Sequence, residues 1–403
     1  MHGTWYRDGV GRRAADTAAA PVSVPGTVRV CVLAVLLAQG CAIAPIAAPR
    51  VPPVHGGVAP PTADARFHDY RGVIHIHTTY SDGTGTFEEI GRIAQRQGLD
   101  FLITTDHNTL QPLVDGKEGW YPSTDASPRT LVLAGEEVSA PEAHVLAIGV
   151  TQSVDRDQST QQIIDAIQRQ GGLAFLAHPQ YRRRPVTNWQ VHDYTGLEVY
   201  NFVEDAERTP KLQQTVVGLL AHPDAFYHSM IRRPQQTLAR WDALLAAGRH
   251  VVGIGAVDAH GVRLGRLRVV PYDVLFKTVR THLLMPALSK PMILEALRAG
   301  HAYLSIDLLG DATGCVFRAE ADGRAVGIMG DAVPLTPGLT LLIYAPTTAQ
   351  WRLFKDGRLV ETRRAQVWRY PVDAAGVYRV EADLHRQCWI IANPIDVRQA
   401  ASP

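Results

Sequence analysis

The chain has 403 residues, of which 46% are hydrophobic and 20% charged, a balance that excludes a fibre or wholesale disorder and provides for two or three domains. Lys and Arg number 40 against 39 Asp and Glu, so the formal net charge is +1. A dedicated nucleic-acid binder needs a strongly basic face, and this balance speaks against one.

Residues 1–44 read as a signal segment. Arg7, Arg12, Arg13 and Arg29 precede the uncharged stretch Val30 to Pro49. Its apolar core is too short for a spanning helix, which needs about 20 apolar residues. Leu37-Ala38-Gln39-Gly40-Cys41 resembles a lipoprotein cleavage box, with Gln39 departing from the usual small or aliphatic residue. The expectation is export, either periplasmic with a lipid anchor at Cys41 or secreted, with that anchor as the sole contact with a membrane. Residues 45–66, rich in Pro, Ala and Gly, read as a tether.

From Phe67 strand-like and helix-like segments alternate, the pattern of a parallel sheet covered or closed by helices. The candidate strands are Arg71 to His77, Asp100 to Thr105, Thr130 to Val138, His144 to Val150, Leu173 to His178, Gly196 to Asn201 and His250 to Val257. Between them, Thr86-Phe87-Glu88-Glu89 forms a capping box, Ser159 with Gln162 another, and Leu238, Trp241, Leu244 and Leu245 mark a third helix.

Metal-ligating residue types recur at the carboxyl ends of these strands, where a barrel enzyme keeps its chemistry. His75 and His77 end the first strand, and side-chain alternation puts both imidazoles on one face, with Ile74 and Ile76 on the other. Asp82 follows in the loop. Asp106 and His107 end the second strand, and Glu136 and Glu137 the third. His144 opens the fourth, His178 ends the fifth, and Asp258 and His260 end the last. Imidazole suits Zn, Fe, Mn and Co, and carboxylates bridge ions and suit harder metals.

The motifs HIHTTYSDG, TTDHN, GEEVS, AHP and DAHG, in that order between about Phe67 and Leu309, resemble the PHP family of polymerase and histidinol phosphatase metallohydrolases. The resemblance implies an α/β fold, a distorted (β/α)7 barrel over residues 67–310. It also implies a trinuclear site holding two or three divalent ions (Zn, Mn or Fe) and acting on a small-molecule substrate. Carried over position by position, His75, His77, Glu137 and Asp258 would hold one ion. Glu137 would bridge to a second with His144 and His178, and Asp82, His107 and His260 would hold a third. Glu137 is chosen over Glu136 by the family's Gly-x-Glu spacing, and alternation puts the two on opposite faces. Three carboxylates against three divalent ions would leave about three positive charges by formal count, which favours an anionic substrate or transition state. The chemistry implied is hydrolysis by a metal-activated hydroxide.

Catalytic roles fall on Asp106, Glu137 and Asp258. Asp106 would orient His107 or take a proton, or else serve as a turn former after its strand. Tyr80, Glu198, Asn201, Arg280 and His282 are candidates for contact with substrate, although a buried hydrogen-bonded pair explains Glu198 and Asn201 equally well. Arg182-Arg183-Arg184 reads as a solvated loop. The segment His222 to His228 reads as peripheral, with a lid role open.

Residues 311–403 change character to short alternating runs, among them Leu339 to Tyr344, Trp351 to Phe354, Gln366 to Tyr370, Gly376 to Ala382 and Cys388 to Ile391. Lys355-Asp356-Gly357-Arg358 signals a hairpin. The expectation is a small antiparallel β-sandwich of immunoglobulin-like kind. With YDVLFKTVRTHLL, EALRAGHAYLS and WIIANPI as landmarks, the layout resembles the carbaryl-hydrolase-like branch of the PHP family, which includes amide and ester hydrolases. Cys315 and Cys388 would gain about 4 kcal/mol from pairing by loop-closure entropy, or remain buried thiols. Three functions are therefore weighed: a metal-dependent phosphoesterase, an amide, ester or carbamate hydrolase, and a non-enzymatic exported binding protein. Keeping nine costly polar groups together speaks against the last.

Overall fold

A computed structural model describes residues 66–122, 129–209, 227–264 and 267–399, with backbone alone over 262–270. The signal segment, Cys41 and all but the last residue of the tether lie outside the described residues. So does His222. No described helix is long and apolar enough to cross a membrane.

Twenty strands and seven helices form among the described residues. The first strands are β1 (His68–Ile76), β2 (Phe101–His107), β3 (Gly119–Tyr121), β4 (Thr130–Ser139), β5 (His144–Ile148) and β6 (Leu173–Leu176). They are followed by β7 (Gly196–Asn201), β8 (Val252–Ala256), β9 (Val262–Leu264), β10 (Leu267–Val270), β11 (Arg280–Met285) and β12 (Ala302–Ser305). The C-terminal set is β13 (Val316–Ala321), β14 (Arg324–Ile328), β15 (Ala332–Pro334), β16 (Thr340–Lys355), β17 (Arg358–Pro371), β18 (Gly376–Leu384), β19 (Gln387–Ala392) and β20 (Ile395–Arg398). The helices are α1 (Phe87–Arg96), α2 (Gln111–Val114), α3 (Thr160–Arg169), α4 (Phe202–Arg208), α5 (Gln235–Ala246), α6 (Tyr272–Leu275) and α7 (Lys290–Ala299). Reciprocal capping boxes open α1 at Thr86 and Glu89 and α3 at Ser159 and Gln162, satisfying two orphan NH groups in each first turn.

Each expected strand overlaps an observed one, but the sheet is mixed rather than parallel. β1–β2, β2–β4, β6–β7 and β7–β8 pair parallel, whereas β4–β5 and β5–β6 pair antiparallel. The short Ala140–Ala143 connection between β4 and β5 has no room for the crossover a parallel pair requires. Beyond β8 the chain returns to β1: Ile76 bridges Ala259 in parallel, and the His77 NH donates to the Ala259 carbonyl at 2.9 Å.

One apolar core gathers alternate residues of this curved sheet, such as Phe101 and Ile103, Leu131 and Leu133, Leu146 and Ile148, and Val252 and Ile254, around Ile293 and Leu297 of α7. The opposite face packs against α1, α3 and α5 in a second, larger core.

Strands β11 and β12 continue the sheet. β11 pairs β1, β12 pairs β11, and β12 pairs β19, so eighteen strands share one hydrogen-bonded sheet. Asn393, after β19, seals the seam: its Nδ2 donates to the Gly253 and Ala302 carbonyls, and its Oδ1 accepts from the Gly253 NH. β16 turns into β17 at Asp356 and Gly357, both left-handed with φ of 50° and 73°, the pair of conformations a two-residue type I′ turn demands. Cys315 and Cys388 are free thiols, both buried, and burial pushes both pKa values up.

Candidate metal centre

The end of β1 is not a plain strand. His75 has φ of 68°, and the β1–β2 register slips between Ile74 and Ile76. This bulge changes the alternation: Ile74 packs in the core around α7 and Ile76 in the other, instead of both facing one way. The two imidazoles still converge, with Nε2 of His75 3.1 Å from Nε2 of His77. His178 and Asp258, also just past strand ends, have φ of 27° and 55°. Left-handed backbone at residues other than glycine costs about 1–3 kcal/mol each, and its concentration here marks a place where geometry is held against local preference.

All nine predicted ligands come together around Glu137. Its Oε1 lies 2.7 Å from His144 Nδ1 and 3.0 Å from His178 Nε2. Its Oε2 lies 3.0 Å from His107 Nδ1 and 3.2 Å from the Nε2 atoms of both His75 and His77. Asp258 Oδ1 approaches those two Nε2 atoms at 3.4 and 3.2 Å and His260 Nδ1 at 3.5 Å. Asp82 Oδ1 stands 3.3 Å from His260 Nε2, and its Oδ2 3.7 Å from His107 Nε2. Ligand atoms within 4.8 Å of one another form three groups: His77, Asp82, His107 and His260; His75, His77 and Glu137; and His107, Glu137 and His144. The last two overlap at Glu137, and exposure rises from buried His75 and His77 to exposed Asp82, which marks the open side.

The donor set fits divalent cations on an observation of its own. His77 Nδ1, His107 Nδ1, His178 Nδ1 and Glu137 Oε2 are buried without a hydrogen-bond partner, although charges of opposite sign crowd close by. Buried polar atoms are normally satisfied, and atoms that come close without bonding geometry are what donors aimed at shared third points look like. The electrostatics agree. Burial opposes charge on His75, yet Asp258, Glu198 and Glu137 hold its pKa well above the ordinary imidazole value. His77, also buried, is pushed up to about 9 by Asp258 and Glu137. His260 draws Asp82 down to about 2, and burial of Glu137 and Asp258 is outweighed by His75 and its neighbours, which hold both well below the carboxylate range. The pocket therefore demands positive charge, and a metal ion would displace protons to supply it.

The supporting residues meet some expectations and depart from others. Glu136 faces away, bonded to Ser153 Oγ and the Val154 NH, and burial pushes it up to about 7. The Asp106 carboxylate is engaged by the loop after β1 and not by the His107 ring. It accepts from the Thr78 NH, Thr78 Oγ1 and Ser81 Oγ at 2.7, 2.8 and 2.7 Å, and so fastens the loop that presents Asp82. In that loop a Cβ on Gly83 would stand 2.3 Å from the His77 carbonyl oxygen, so only glycine fits. Glu198 and Asn201 lie behind His75 rather than in the opening: Glu198 Oε1 is 2.6 Å from His75 Nδ1. Tyr80 donates to Asp115, which pushes its pKa up to about 12. Arg280 and His282 are not brought to the cluster. Arg280 pairs with Asp307 at 2.7 Å, and His282 lies between Asp69 and Ser305, stacked on Tyr303. Of the Arg182-Arg183-Arg184 run, Arg183 reaches Glu207 at 3.2 Å. The sequence reading missed Tyr272, whose hydroxyl lies 2.8 and 2.6 Å from the His77 and His260 carbonyls and accepts from the Thr84 and Gly85 NH groups. Tyr272 opens the landmark YDVLFKTVRTHLL, but nothing in that run marks its hydroxyl as a staple.

No family model matches the chain. It is 27% identical over 142 residues to an uncharacterized protein of Methanocaldococcus jannaschii, covering 32% of this chain and 80% of that one. It is 32% identical over 83 residues to a phosphoribosyl 1,2-cyclic phosphate 1,2-diphosphodiesterase of Eggerthella lenta, covering 19% of this chain and spanning 30% of the relative's length. Among solved structures it resembles a two-domain protein from Bacteroides vulgatus containing a predicted PHP-like metal-dependent phosphoesterase. The TM-score is 0.43, the identity 16%, and the match covers 84% of this chain and 98% of that one. The relative of named activity is a hydrolase, and the donor cluster is of the kind metal-dependent hydrolases carry.

Proposed function

We propose that the chain is a metal-dependent hydrolase of PHP type acting on phosphoesters. One observation carries the reading: nine donors from six strands and their loops gather about Glu137, itself one of them, and several of their buried atoms lack a hydrogen-bond partner in the protein. The phosphodiesterase relative supports phosphoester chemistry, and the return of the β8 end to β1 supports a distorted barrel. Two or three divalent ions, Zn, Mn or Fe, fit the overlapping donor groups. When bound, such ions generate hydroxide from water near neutral pH and offset charge on the oxygens of the centre attacked. The protein's own part is to hold the geometry. Glu137 spans the groups, Asp258 draws His75, His77 and His260 together, and Asp106 and Tyr272 fix the loops that carry Asp82 and His260. Residues 1–44 would direct export, with Cys41 as an anchor, and fractionation that found the full-length chain in cytosol would refute this.

The second reading, an amide, ester or carbamate hydrolase, is favoured by the landmarks of the carbaryl-hydrolase-like branch and by the C-terminal β-strands, which would form its sandwich over residues 311–403. Metal analysis of the purified protein, coupled to rates on phosphomonoesters, phosphodiesters, aryl esters and carbamates, decides. Fastest turnover of a phosphoester is expected. Faster turnover of an aryl ester or carbamate installs the second reading, and a metal-free protein inactive on every substrate defeats both.

A further inference from the structure

Glu198, on β7, is not one of the nine donors, yet its carboxylate is buried and its three closest partners tie it to the metal centre and to the adjoining helix. Oε1 stands 2.6 Å from His75 Nδ1. Oε2 accepts from the His178 backbone NH at 2.6 Å and from Asn201 Nδ2 at 2.7 Å. Asn201 is itself fixed, because its Oδ1 accepts from the Val203 and Glu204 NH groups at the start of α4.

Oε2 already accepts from two NH groups, so the carboxylate offers Oε1 to His75 as an acceptor and the ring nitrogen facing it is the donor. That leaves Nε2 as the metal-binding atom, and Nε2 is the nitrogen that faces His77, Glu137 and Asp258 at 3.1 to 3.4 Å. The same carboxylate holds the backbone of His178 in its left-handed conformation. It therefore grips ligands from two strand ends, β1 and β6, far apart in sequence.

We propose that Glu198 is a positioning residue of the metal centre: it fixes His75 as the Nδ1–H tautomer and sets the backbone of His178, so that both imidazoles arrive at the ion pre-oriented. The inference rests on the metal-dependent reading above, but not on which bond is cleaved.

Glu198→Gln keeps the shape and leaves one accepting oxygen for three donors, so its amide NH2 must confront at least one of them. Cobalt(II) is the probe. The variant is expected to fold as judged by circular dichroism and to bind cobalt about 10–100-fold more weakly, the usual cost of losing such a partner. The cobalt absorption bands should shift in position or intensity, which a merely structural change would not produce. A folded variant with wild-type cobalt affinity and an unchanged spectrum overturns the proposal. Should the variant fail to fold, nitrogen-15 NMR of histidine-labelled, zinc-loaded wild-type protein decides alone, with the His75 signal assigned by its loss in His75→Asn. A proton on Nδ1 supports the proposal, and a proton on Nε2 overturns it. Wild-type protein that takes up no cobalt defeats both this proposal and the functional reading, whereas protein that binds cobalt without cleaving phosphoesters defeats the phosphoesterase reading alone.

Discussion

Two buried clusters of charge in this protein are built on opposite principles. Where α5 meets the C-terminal strands, Arg379 donates to Asp242 at 2.9 and 2.8 Å and to Glu381 at 2.7 Å, and Arg233 donates to Glu381 at 2.6 and 2.8 Å. The Arg379 guanidinium also lies 4.6 Å from the Phe354 ring and 5.2 Å from the Trp241 ring. Each of these acceptors faces a donor in good geometry; the one unmatched atom beside them, Arg352 Nε at 3.5 Å from Glu381 Oε2, belongs to a guanidinium already paired with Asp383. Around Glu137 the charges crowd as closely, yet four buried nitrogens and oxygens stay unmatched. A cluster whose members satisfy one another fixes structure; one in which several buried members find no partner awaits something else.

The contrast is sharpest in single substitutions. Asp258→Ala and His178→Ala should each lower hydrolysis by on the order of 10³-fold or more, several kcal/mol of lost charge stabilisation, while the far-UV spectrum stays native. Full activity in both purified variants, with metal content measured, would sink the proposed metal site. Arg379→Ala should do the reverse, destabilising the fold by about 3–5 kcal/mol because it leaves Asp242 without its guanidinium partner and Glu381 with Arg233 in place of two close arginines. Urea unfolding reads that loss, and metal uptake by the folded fraction should match wild type.

Glu381→Gln should act through pH. Burial raises the Glu381 pKa, but Arg379 and Arg233 outweigh it and bring it down to about 2. A depressed carboxylate contributes stability that is present above its unfolded value of 4.5 and lost as pH falls through the folded value. Stability of the wild type should therefore fall between about pH 4.5 and 2 more steeply than that of Glu381→Gln, and parallel acid-unfolding curves would contradict the assignment. Asp106→Asn should cost least, about 1–3 kcal/mol, since it places an amide NH2 against Thr78 or Ser81. Its effect on activity should follow from a loosened Asp82 loop and appear as weaker metal binding in a calorimetric titration.

The clustered donor residues were legible because each sits in a short motif at a strand end, where local sequence sets position. Alternation also separated Glu137 from Glu136 correctly in space, since β4 runs without interruption there. The same rule misjudged Ile74 and Ile76, because the bulge at His75 is held by the neighbouring strands and has no local signature. Glu198, Arg280 and His282 were read as candidates for contact with substrate, with a Glu198–Asn201 pair as the alternative; that pair forms at 2.7 Å, but other partners lie far away along the chain. His75 and Glu198 are 123 residues apart, and Asp69 and His282 are 213 apart. The antiparallel fourth strand, expected to join a parallel sheet, was nonetheless signalled by its short connection to the third. The pairing of β12 with β19 was not, because composition changes at the segment boundary while hydrogen bonding does not.

That pairing bears on how the protein can be divided. A fragment ending near residue 310 would expose β12 as a raw edge, with a row of unmatched peptide groups and no Asn393 to occupy Gly253 and Ala302. Such an edge recruits other chains. Shortening the protein to its metal-binding part should thus yield not a smaller enzyme but an aggregating one, and the C-terminal strands act as the stopper that keeps the catalytic sheet from growing.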